Sequence, residues 1–285
     1  MPDPSVRLPG ILVGSGWLSK HLDDVLIAHV GWVPAEPDAA RTSYEAGHIA
    51  GAVFLDVDDD LAGRPFVDGP GRHPLPSPEV FAATMARAGV SDGSRVVACD
   101  DARGSLAARL WWMLDATGHE AAVLDGGLEA WAGLREIGPE TTRTAGHFTP
   151  RSWPEWLITD ADGVARALRD DSAVVVDARA EERFRGDVEP IDPVAGHIPG
   201  ERSAAWAGDL DEAGRFLLPE QLRGRFARLG VTGEAPPIAH CGSGVTACHT
   251  LLALRLAELG DGVLYEGSWS DWVSDGSRPV ARGEA

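Results

Sequence analysis

The sequence has few cysteines, few basic side chains and no long apolar run. Only three of its 285 residues are cysteine, namely Cys99, Cys241 and Cys248. They form no CxxC pair and no close cluster with histidine, so the usual zinc-binding patterns are excluded and no metal site is expected. A sparse, odd set of cysteines is typical of a reducing compartment rather than of a disulfide-stabilised secreted protein.

The shortage of basic side chains leaves a strongly acidic chain. Lysine and arginine number 25 against 44 aspartates and glutamates, which gives a formal net charge of −19. Such a surface repels phosphate backbones and anionic lipid headgroups, so we expect neither nucleic acid nor a membrane as a partner. No apolar run approaches the roughly 18 residues of a membrane span, and residues 1–10 lack the features of a signal peptide. We therefore expect a cytoplasmic protein.

The two halves of the chain carry matching motifs in the same order. Residues 125–131 (DGGLEAW) match residues 266–272 (EGSWSDW) at an offset of 141. The motifs AGHIAG at 46–51 and AGHIPG at 195–200 are 149 apart, so the first half holds eight extra residues after its copy. Ordered matches predict two homologous domains. We place their boundaries as follows: 1–136 for the first domain, 137–152 for a Gly-, Pro- and Thr-containing linker, and 153–285 for the second domain.

Short runs of Val, Ile and Ala alternate with longer helical patterns in each half. This rhythm predicts an α/β fold in which each domain is a mostly parallel sheet flanked by helices. Ligands in such folds bind at the carboxyl ends of strands. The predicted strands are 25–29, 96–99, 121–124, 173–177, 203–205, 237–240 and 263–265. The predicted helices are 78–88, 105–117, 161–169, 219–229 and 245–259.

The segment 239–247 (AHCGSGVTA) is the candidate for chemistry. Its pattern predicts a strand that ends at Cys241, a small loop with two glycines, and a helix that begins near Val245. Backbone N–H groups of such a loop converge on one point and would stabilise a thiolate, which makes Cys241 a candidate nucleophile. The alternative is a small cysteine buried in a strand-to-helix turn.

The 141-residue offset places Asp100 opposite Cys241, so the first domain has no thiol at this position. We therefore expect one reactive loop in two domains, with the first domain catalytically silent. Cys99 falls inside a predicted strand and Cys248 inside a predicted helix, and both are interpreted as packing residues.

The motif GHIPG at 196–200, the loop CGSGVTA at 241–247 and the late EGSWSDW at 266–272 resemble the two-domain rhodanese-type sulfurtransferases. The resemblance covers essentially the whole chain. It implies two tandem rhodanese-like domains, a silent first domain, a catalytic second domain and a persulfide intermediate on Cys241. No cofactor is expected.

Within that family, thiosulfate-using enzymes typically carry Arg-Lys after the cysteine, whereas 3-mercaptopyruvate sulfurtransferases carry Gly-Ser. Here Gly242-Ser243 follows, so the loop resembles the mercaptopyruvate branch. One feature departs from that branch. Its members usually have an arginine directly after a Glu-Pro, but Glu189-Pro190 is followed here by Ile191. Thiosulfate therefore stays open as the alternative donor.

The resemblance also implies roles for individual side chains. Arg183 corresponds to the arginine that binds the substrate carboxylate, for which a bidentate guanidinium is well suited. Arg179 is either a further substrate contact or a structural residue. Ser243, His73 and Asp56 correspond to a Ser–His–Asp proton relay, with His73 and Asp56 assigned to the first domain. The alternative for His73 is a histidine of a surface loop. Four loop residues complete the expected substrate-binding set: Gly242, Gly244, Val245 and Thr246.

The expected reaction has two half-reactions. The Cys241 thiolate attacks the sulfur of a small anionic donor, releases pyruvate (or sulfite) and becomes a persulfide. A thiol, a thioredoxin-like protein or cyanide then accepts the sulfur. A cysteine phosphatase would need an arginine six residues after the cysteine, where Ala247 stands. A non-catalytic sulfur-binding module is the remaining alternative.

Overall fold

The computed structural model describes residues 6–284, which form two compact units. The first unit contains residues up to Ala62 together with Pro76–Trp153, and the second contains Gly63–Leu75 together with the residues from Pro154 onwards. The expectation that no signal peptide occupies residues 1–10 falls partly outside the described residues. Within them, no helix has the length and apolar character that crossing a membrane requires.

The first unit is a parallel sheet with helices packed on it. Its strands are β1 (Leu12–Val13), β2 (Leu26–Gly31), β3 (His48–Ile49), β4 (Val53–Asp56), β5 (Arg95–Cys99), β6 (Glu120–Leu124) and β7 (Arg135–Glu136). Its helices are α1 (Ser15–Leu18), α2 (Ala39–Ala46), α3 (Val57–Asp60), α4 (Pro78–Arg87) and α5 (Ala107–Ala116). Five strands pair in parallel in the order β1-β6-β5-β2-β4, while β3 and β7 form a separate antiparallel pair.

The second unit repeats this arrangement. Its strands are β8 (Ile158–Thr159), β9 (Val175–Asp177), β10 (Arg202–Ser203), β11 (Ile238–His240) and β12 (Val263–Tyr265). Its helices are α6 (Ala161–Asp170), α7 (Glu181–Arg185), α8 (Pro219–Arg228), α9 (Ala247–Leu256) and α10 (Ser268–Trp272). The sheet is parallel throughout, in the order β10-β9-β11-β12-β8.

The corresponding strand arrangement of the two sheets confirms the predicted duplication and the α/β fold. The central strand of the first sheet ends at Cys99 and that of the second at His240, which keeps the 141-residue offset. Asp100 and Cys241 therefore stand at equivalent carboxyl ends. The helix that follows each of these strands is almost wholly buried, as in α9, where the side chains from Ala247 to Leu254 are all covered. Most side chains of such a helix are apolar because it packs inside its unit, and its polar residues, such as His249 and Thr250, are buried with them.

The segment Gly63–Leu75 belongs to the second unit, whereas the boundaries expected from the sequence place it in the first domain. It lies within the first half of the chain, in the interval that holds the eight extra residues, yet it packs on the second unit. The Leu75 N–H donates to Glu266 Oε2 at 2.8 Å, and the Arg72 N–H donates to Ser270 Oγ at 3.1 Å. Gly71 adopts a φ of 75° against the carbonyl of Gly267, where a Cβ would collide.

Candidate functional site

Cys241 follows β11 at the carboxyl edge of the second sheet and is only 3% exposed. Helix α10 holds both of its main-chain polar groups. The Cys241 N–H donates to Ser268 Oγ at 3.1 Å, and its carbonyl accepts from the Trp269 N–H at 3.0 Å. The repeated motif at 266–272 therefore serves as the support of the cysteine loop.

The loop itself depends on a glycine. Gly244 adopts a φ of 78°, and a Cβ there would collide with the carbonyl of Glu266. The carbonyl of Val245 accepts from the Cys248 N–H at 3.1 Å, and that of Thr246 accepts from the His249 N–H at 3.0 Å. These bonds form the first turn leading into α9, so the loop runs directly into a helix N-terminus, as the sequence predicted.

The equivalent loop of the first unit holds an anion, the side chain of Asp100. Its Oδ1 accepts from the backbone N–H groups of Ala102 and Gly104, at 2.9 and 2.8 Å. Its Oδ2 accepts from Leu106 and Ala107, both at 2.8 Å. Four N–H groups thus converge on one fully buried carboxylate. This loop therefore binds a negatively charged group, as converging backbone N–H groups generally do.

Ser243 and His73 meet beside Cys241. The Nδ1 of His73 lies 2.7 Å from the Ser243 Oγ, and both residues are buried. The assignment of His73 to the first domain is wrong, because His73 belongs to the segment that packs on the second unit. The structure therefore brings together two of the three residues expected to form the relay.

Asp56 lies in the first unit at the beginning of α3. Its Oδ1 accepts from the N–H groups of Asp58 and Asp59, at 2.8 and 3.2 Å, so the carboxylate caps that helix. Burial raises the pKa of Asp56, and the two backbone N–H groups oppose the shift. These contacts assign Asp56 a capping role, and a relay role for it stays a prediction.

Arg183 lies next to Gly242 of the cysteine loop. A Cβ added to Gly242 would lie 3.5 Å from both Nη atoms of Arg183. The guanidinium is held by Glu189, with Nη2 2.7 Å from Oε1 and Nε 3.2 Å from Oε2, and its Nη2 lies 3.3 Å from Asp192 Oδ2. Burial would raise the pKa of Glu189, but the hydrogen bond from Arg183 contributes to a net lowering, so this carboxylate is ionised.

Arg72 is a second guanidinium at the same loop, and the sequence reasoning did not select it. Its Nη2 would lie 3.2 Å from a Cβ on Gly242, and its Nη1 forms an ion pair with Asp192. Among the described residues, its buried Nε has no hydrogen-bond partner. Burial raises the pKa of Asp192, and Arg72 opposes this. The signal that could have found Arg72 is its position next to His73.

Arg179 is buried and bound on several sides by groups of the second unit. Its side chain is 1% exposed, and its Nη2 binds Asp177 Oδ2 at 2.6 Å and the Gly196 carbonyl at 2.7 Å. Its guanidinium carbon stacks over the Trp269 ring, 4.5 Å from the centroid. Because the guanidinium is buried and engaged by these contacts, the structure favours the structural role over substrate binding, the other role left open by the sequence.

Comparisons with known proteins agree with this geometry. A model of the rhodanese-like domain matches residues 16–134 and 160–275. The chain is 44% identical over 267 residues to a probable 3-mercaptopyruvate sulfurtransferase of Pseudomonas aeruginosa, covering 92% of this chain and 93% of that protein. It is 38% identical over 268 residues to the putative thiosulfate sulfurtransferase SseB of Mycobacterium tuberculosis, with coverage of 92% and 93%.

A solved structure also matches. The crystal structure of SseA from Escherichia coli, described as a 3-mercaptopyruvate sulfotransferase with the rhodanese fold, superposes with a TM-score of 0.80 at 34% identity. The match covers 91% of this chain and 99% of that one.

Proposed function

The chain belongs to the rhodanese-like family, and from that premise we propose that it is a sulfurtransferase that takes sulfur from 3-mercaptopyruvate through a persulfide on Cys241. Relatives at 44% and 38% identity are named as 3-mercaptopyruvate and thiosulfate sulfurtransferases, respectively. The single observation that carries the proposal is made in the equivalent loop of the first unit, where four backbone N–H groups bind the Asp100 carboxylate.

The Asp100 side chain resembles the proposed persulfide in length and in charge. Its chain of Cβ, Cγ and Oδ has as many bonds as the Cβ, Sγ and terminal sulfur of a cysteine persulfide, and both end in a negative atom. The repeat places the equivalent N–H groups of the second unit at Ser243, Val245, Ala247 and Cys248, of which the Cys248 N–H already donates to the Val245 carbonyl. The other three donors would stabilise the terminal sulfur anion as an oxyanion hole stabilises oxygen.

The donor reaction balances with one proton transfer. The Cys241 thiolate attacks the thiol sulfur of 3-mercaptopyruvate, the carbon–sulfur bond breaks, and its electron pair leaves on carbon as the enolate of pyruvate. The thiol proton moves to that carbon and completes the methyl group. Because the Ser243 Oγ lies 2.7 Å from the His73 Nδ1, this pair is suited to carry the proton. An acceptor thiolate or cyanide then attacks the terminal sulfur and regenerates the Cys241 thiolate.

The charges around the loop favour 3-mercaptopyruvate, which carries one carboxylate, over the thiosulfate dianion. Arg72 and Arg183 face Gly242, but Glu189 and Asp192 neutralise them. The buried Nε of Arg72 can still donate to one carboxylate. The test is kcat/KM for both donors with the same acceptor, and a clear preference for thiosulfate would overturn the donor assignment.

Replacing Asp192 with asparagine should move the preference toward thiosulfate. The introduced amide is uncharged, so the two guanidiniums would carry an excess positive charge that a dianion uses better than a monoanion. We expect the ratio of kcat/KM for thiosulfate to that for 3-mercaptopyruvate to rise about fivefold or more, and less at high salt. The control is Asp187→Asn, a half-exposed carboxylate in the same stretch that pairs with Arg185. Equal ratios in both variants would contradict the charge argument.

Replacing Ser243 with alanine should separate the two donors by their need for a proton. Loss of the hydroxyl is expected to lower kcat/KM for 3-mercaptopyruvate about 10²-fold, a typical contribution of general acid–base catalysis. Thiosulfate releases sulfite and needs no proton on carbon, so its kcat/KM should fall much less. Ser274→Ala, which removes an exposed hydroxyl that donates to the Asp271 carbonyl, is the matched control. An equal loss with both donors would refute a role of Ser243 in proton transfer.

The acceptor and the location complete the proposal. A small thiol, a thioredoxin-like protein or cyanide would take the sulfur. All three cysteines are free, which agrees with a reducing, cytoplasmic setting. A non-catalytic module is excluded if Cys241 gains one sulfur atom, about 32 Da, on incubation with 3-mercaptopyruvate, as measured by peptide mass spectrometry.

A further inference from the structure

A buried group of four charged side chains lies directly behind the cysteine loop. It consists of Asp177, Arg179, Glu201 and His240, with side-chain exposures of 0 or 1%. The His240 Nε2 lies 2.5 Å from Glu201 Oε2, and the Arg179 Nη2 lies 2.6 Å from Asp177 Oδ2. His240 is the last residue of β11, so it immediately precedes Cys241.

The group is an ion-pair network rather than a metal site. Ligand atoms of Asp177, Glu201 and His240 lie within 4.8 Å of one another. However, the Arg179 guanidinium already binds the Asp177 carboxylate through both Nε and Nη2. A divalent cation at this position would face the Arg179 charge at close range, which is strongly unfavourable in a buried site.

The His240 ring reaches the first peptide of the cysteine loop. Its Nδ1 lies 3.2 Å from the Cys241 carbonyl oxygen, which also accepts from the Trp269 N–H at 3.0 Å. A peptide unit is planar and trans, so the Cys241 carbonyl and the Gly242 N–H point in opposite directions. Two donors behind the carbonyl therefore fix the direction in which the first N–H of the loop points.

The protonation of His240 suits this role. Burial disfavours the charged ring, but Glu201 and Asp177 outweigh it and raise the pKa of His240 to about 9. At neutral pH both ring nitrogens then carry protons, one directed to Glu201 and the other to the Cys241 carbonyl. The other groups that face the ring are Arg179, whose charge opposes this shift, and the phenol ring of Tyr265, 5.9 Å away between centroids. The two cations and two carboxylates balance.

We infer that the His240–Glu201 couple is a positioning device for Cys241, which holds the Cys241–Gly242 peptide plane and cancels the carboxylate charge behind the thiolate. The inference rests on the proposed function in one respect only, that Cys241 is the nucleophile. Burial raises the pKa of Glu201 and His240 opposes this, so without His240 the Glu201 carboxylate would lose its counter-charge and the Cys241 carbonyl would lose one donor. Both changes disfavour the thiolate.

The test is the rate of alkylation of Cys241 by iodoacetamide as a function of pH, with peptide mass spectrometry to separate Cys241 from Cys99 and Cys248. In His240→Gln, the midpoint of the rate–pH curve should move upward by on the order of one pH unit, as expected when a buried negative charge loses its partner. In Glu201→Gln, where the carboxylate charge is removed instead, the midpoint should not move upward. The double variant, which restores neutrality, should return close to the wild-type midpoint.

Three outcomes would overturn the inference. Identical midpoints in all four proteins would show that the couple has no influence on Cys241, and equal upward shifts in both single variants would indicate general disturbance of the loop. The third outcome comes from a measurement that needs no variant. Nitrogen-15 NMR of histidine-labelled wild-type protein should find both His240 nitrogens protonated at neutral pH. A neutral ring would refute the arrangement.

The alkylation assay also separates this inference from the proposed function, because it involves no sulfur donor. An upward shift in His240→Gln but not in Glu201→Gln, without persulfide formation, would support the positioning role and refute sulfur transfer. Sulfur transfer with unchanged alkylation profiles would do the reverse.

Discussion

Replacing Cys241 with serine is expected to lower sulfur transfer from both 3-mercaptopyruvate and thiosulfate by at least about 10³-fold. A serine hydroxyl is far less nucleophilic toward sulfur than a thiolate and forms no persulfide. The substitution changes one atom in a side chain that is 3% exposed, so the loop should keep its fold. The measurement is pyruvate or sulfite release under single-turnover conditions, with persulfide formation followed by mass spectrometry.

The other two cysteines supply matched controls for that experiment. Burial raises the pKa of Cys99 well above its usual value, which makes it a poor nucleophile, and the Cys248 thiol donates to the Gly244 carbonyl at 3.4 Å. Cys99→Ser and Cys248→Ser should therefore keep kcat/KM within about threefold of the wild type. Transfer that survives in Cys241→Ser but disappears in Cys248→Ser would reassign the nucleophile.

Replacing Asp100 with alanine should destabilise the protein by about 3–5 kcal/mol, a large effect for a single loop residue. The variant leaves four backbone N–H groups without the carboxylate that they all contact. Buried donors that lose an ionised acceptor cost more than ordinary hydrogen bonds, because each also loses its solvation by water. Chemical denaturation followed by tryptophan fluorescence checks the expected loss.

The neighbouring aspartate gives the control for this prediction. Asp101 is 42% exposed, receives a hydrogen bond from the Ser43 hydroxyl at 2.8 Å and lies 3.6 Å from the Nε2 of the buried His29. Asp101→Ala should cost about 1 kcal/mol or less, as is usual for partly exposed polar contacts. Equal stability of the two variants would mean that the four N–H groups of the first loop find water instead of a buried carboxylate.

Local sequence patterns predicted the central elements well. β5 and β11 are short runs of apolar residues buried on both faces, and the helices that follow them are long enough to give a clear pattern. The repeat then transferred each assignment from one half to the other. The sequence did not predict strands of two residues, such as β1 and β8, or the short helices α7 and α10. A period cannot be recognised in so few residues.

The candidate site was only partly predictable, for reasons of tertiary packing. The Cys241 loop is local in sequence, so its chemistry could be interpreted directly. Residues 63–75 have no period, and their partners, such as Glu266 and Ser270, are about two hundred positions away. Arg72 was missed for this reason. Arg179 and Arg183 follow the same strand, and sequence alone does not determine which of them faces inward.

The segment Gly63–Leu75 makes the two halves of this chain inseparable by truncation. A fragment that begins at Pro154, where the second unit resumes, would keep Cys241 but lose Arg72 and His73, which precede it by more than eighty residues. Deleting the first half of the chain as a block would therefore also remove residues that contact the Cys241 loop. Any shorter version of this protein would have to keep the thirteen residues of that segment and carry them on a new connection.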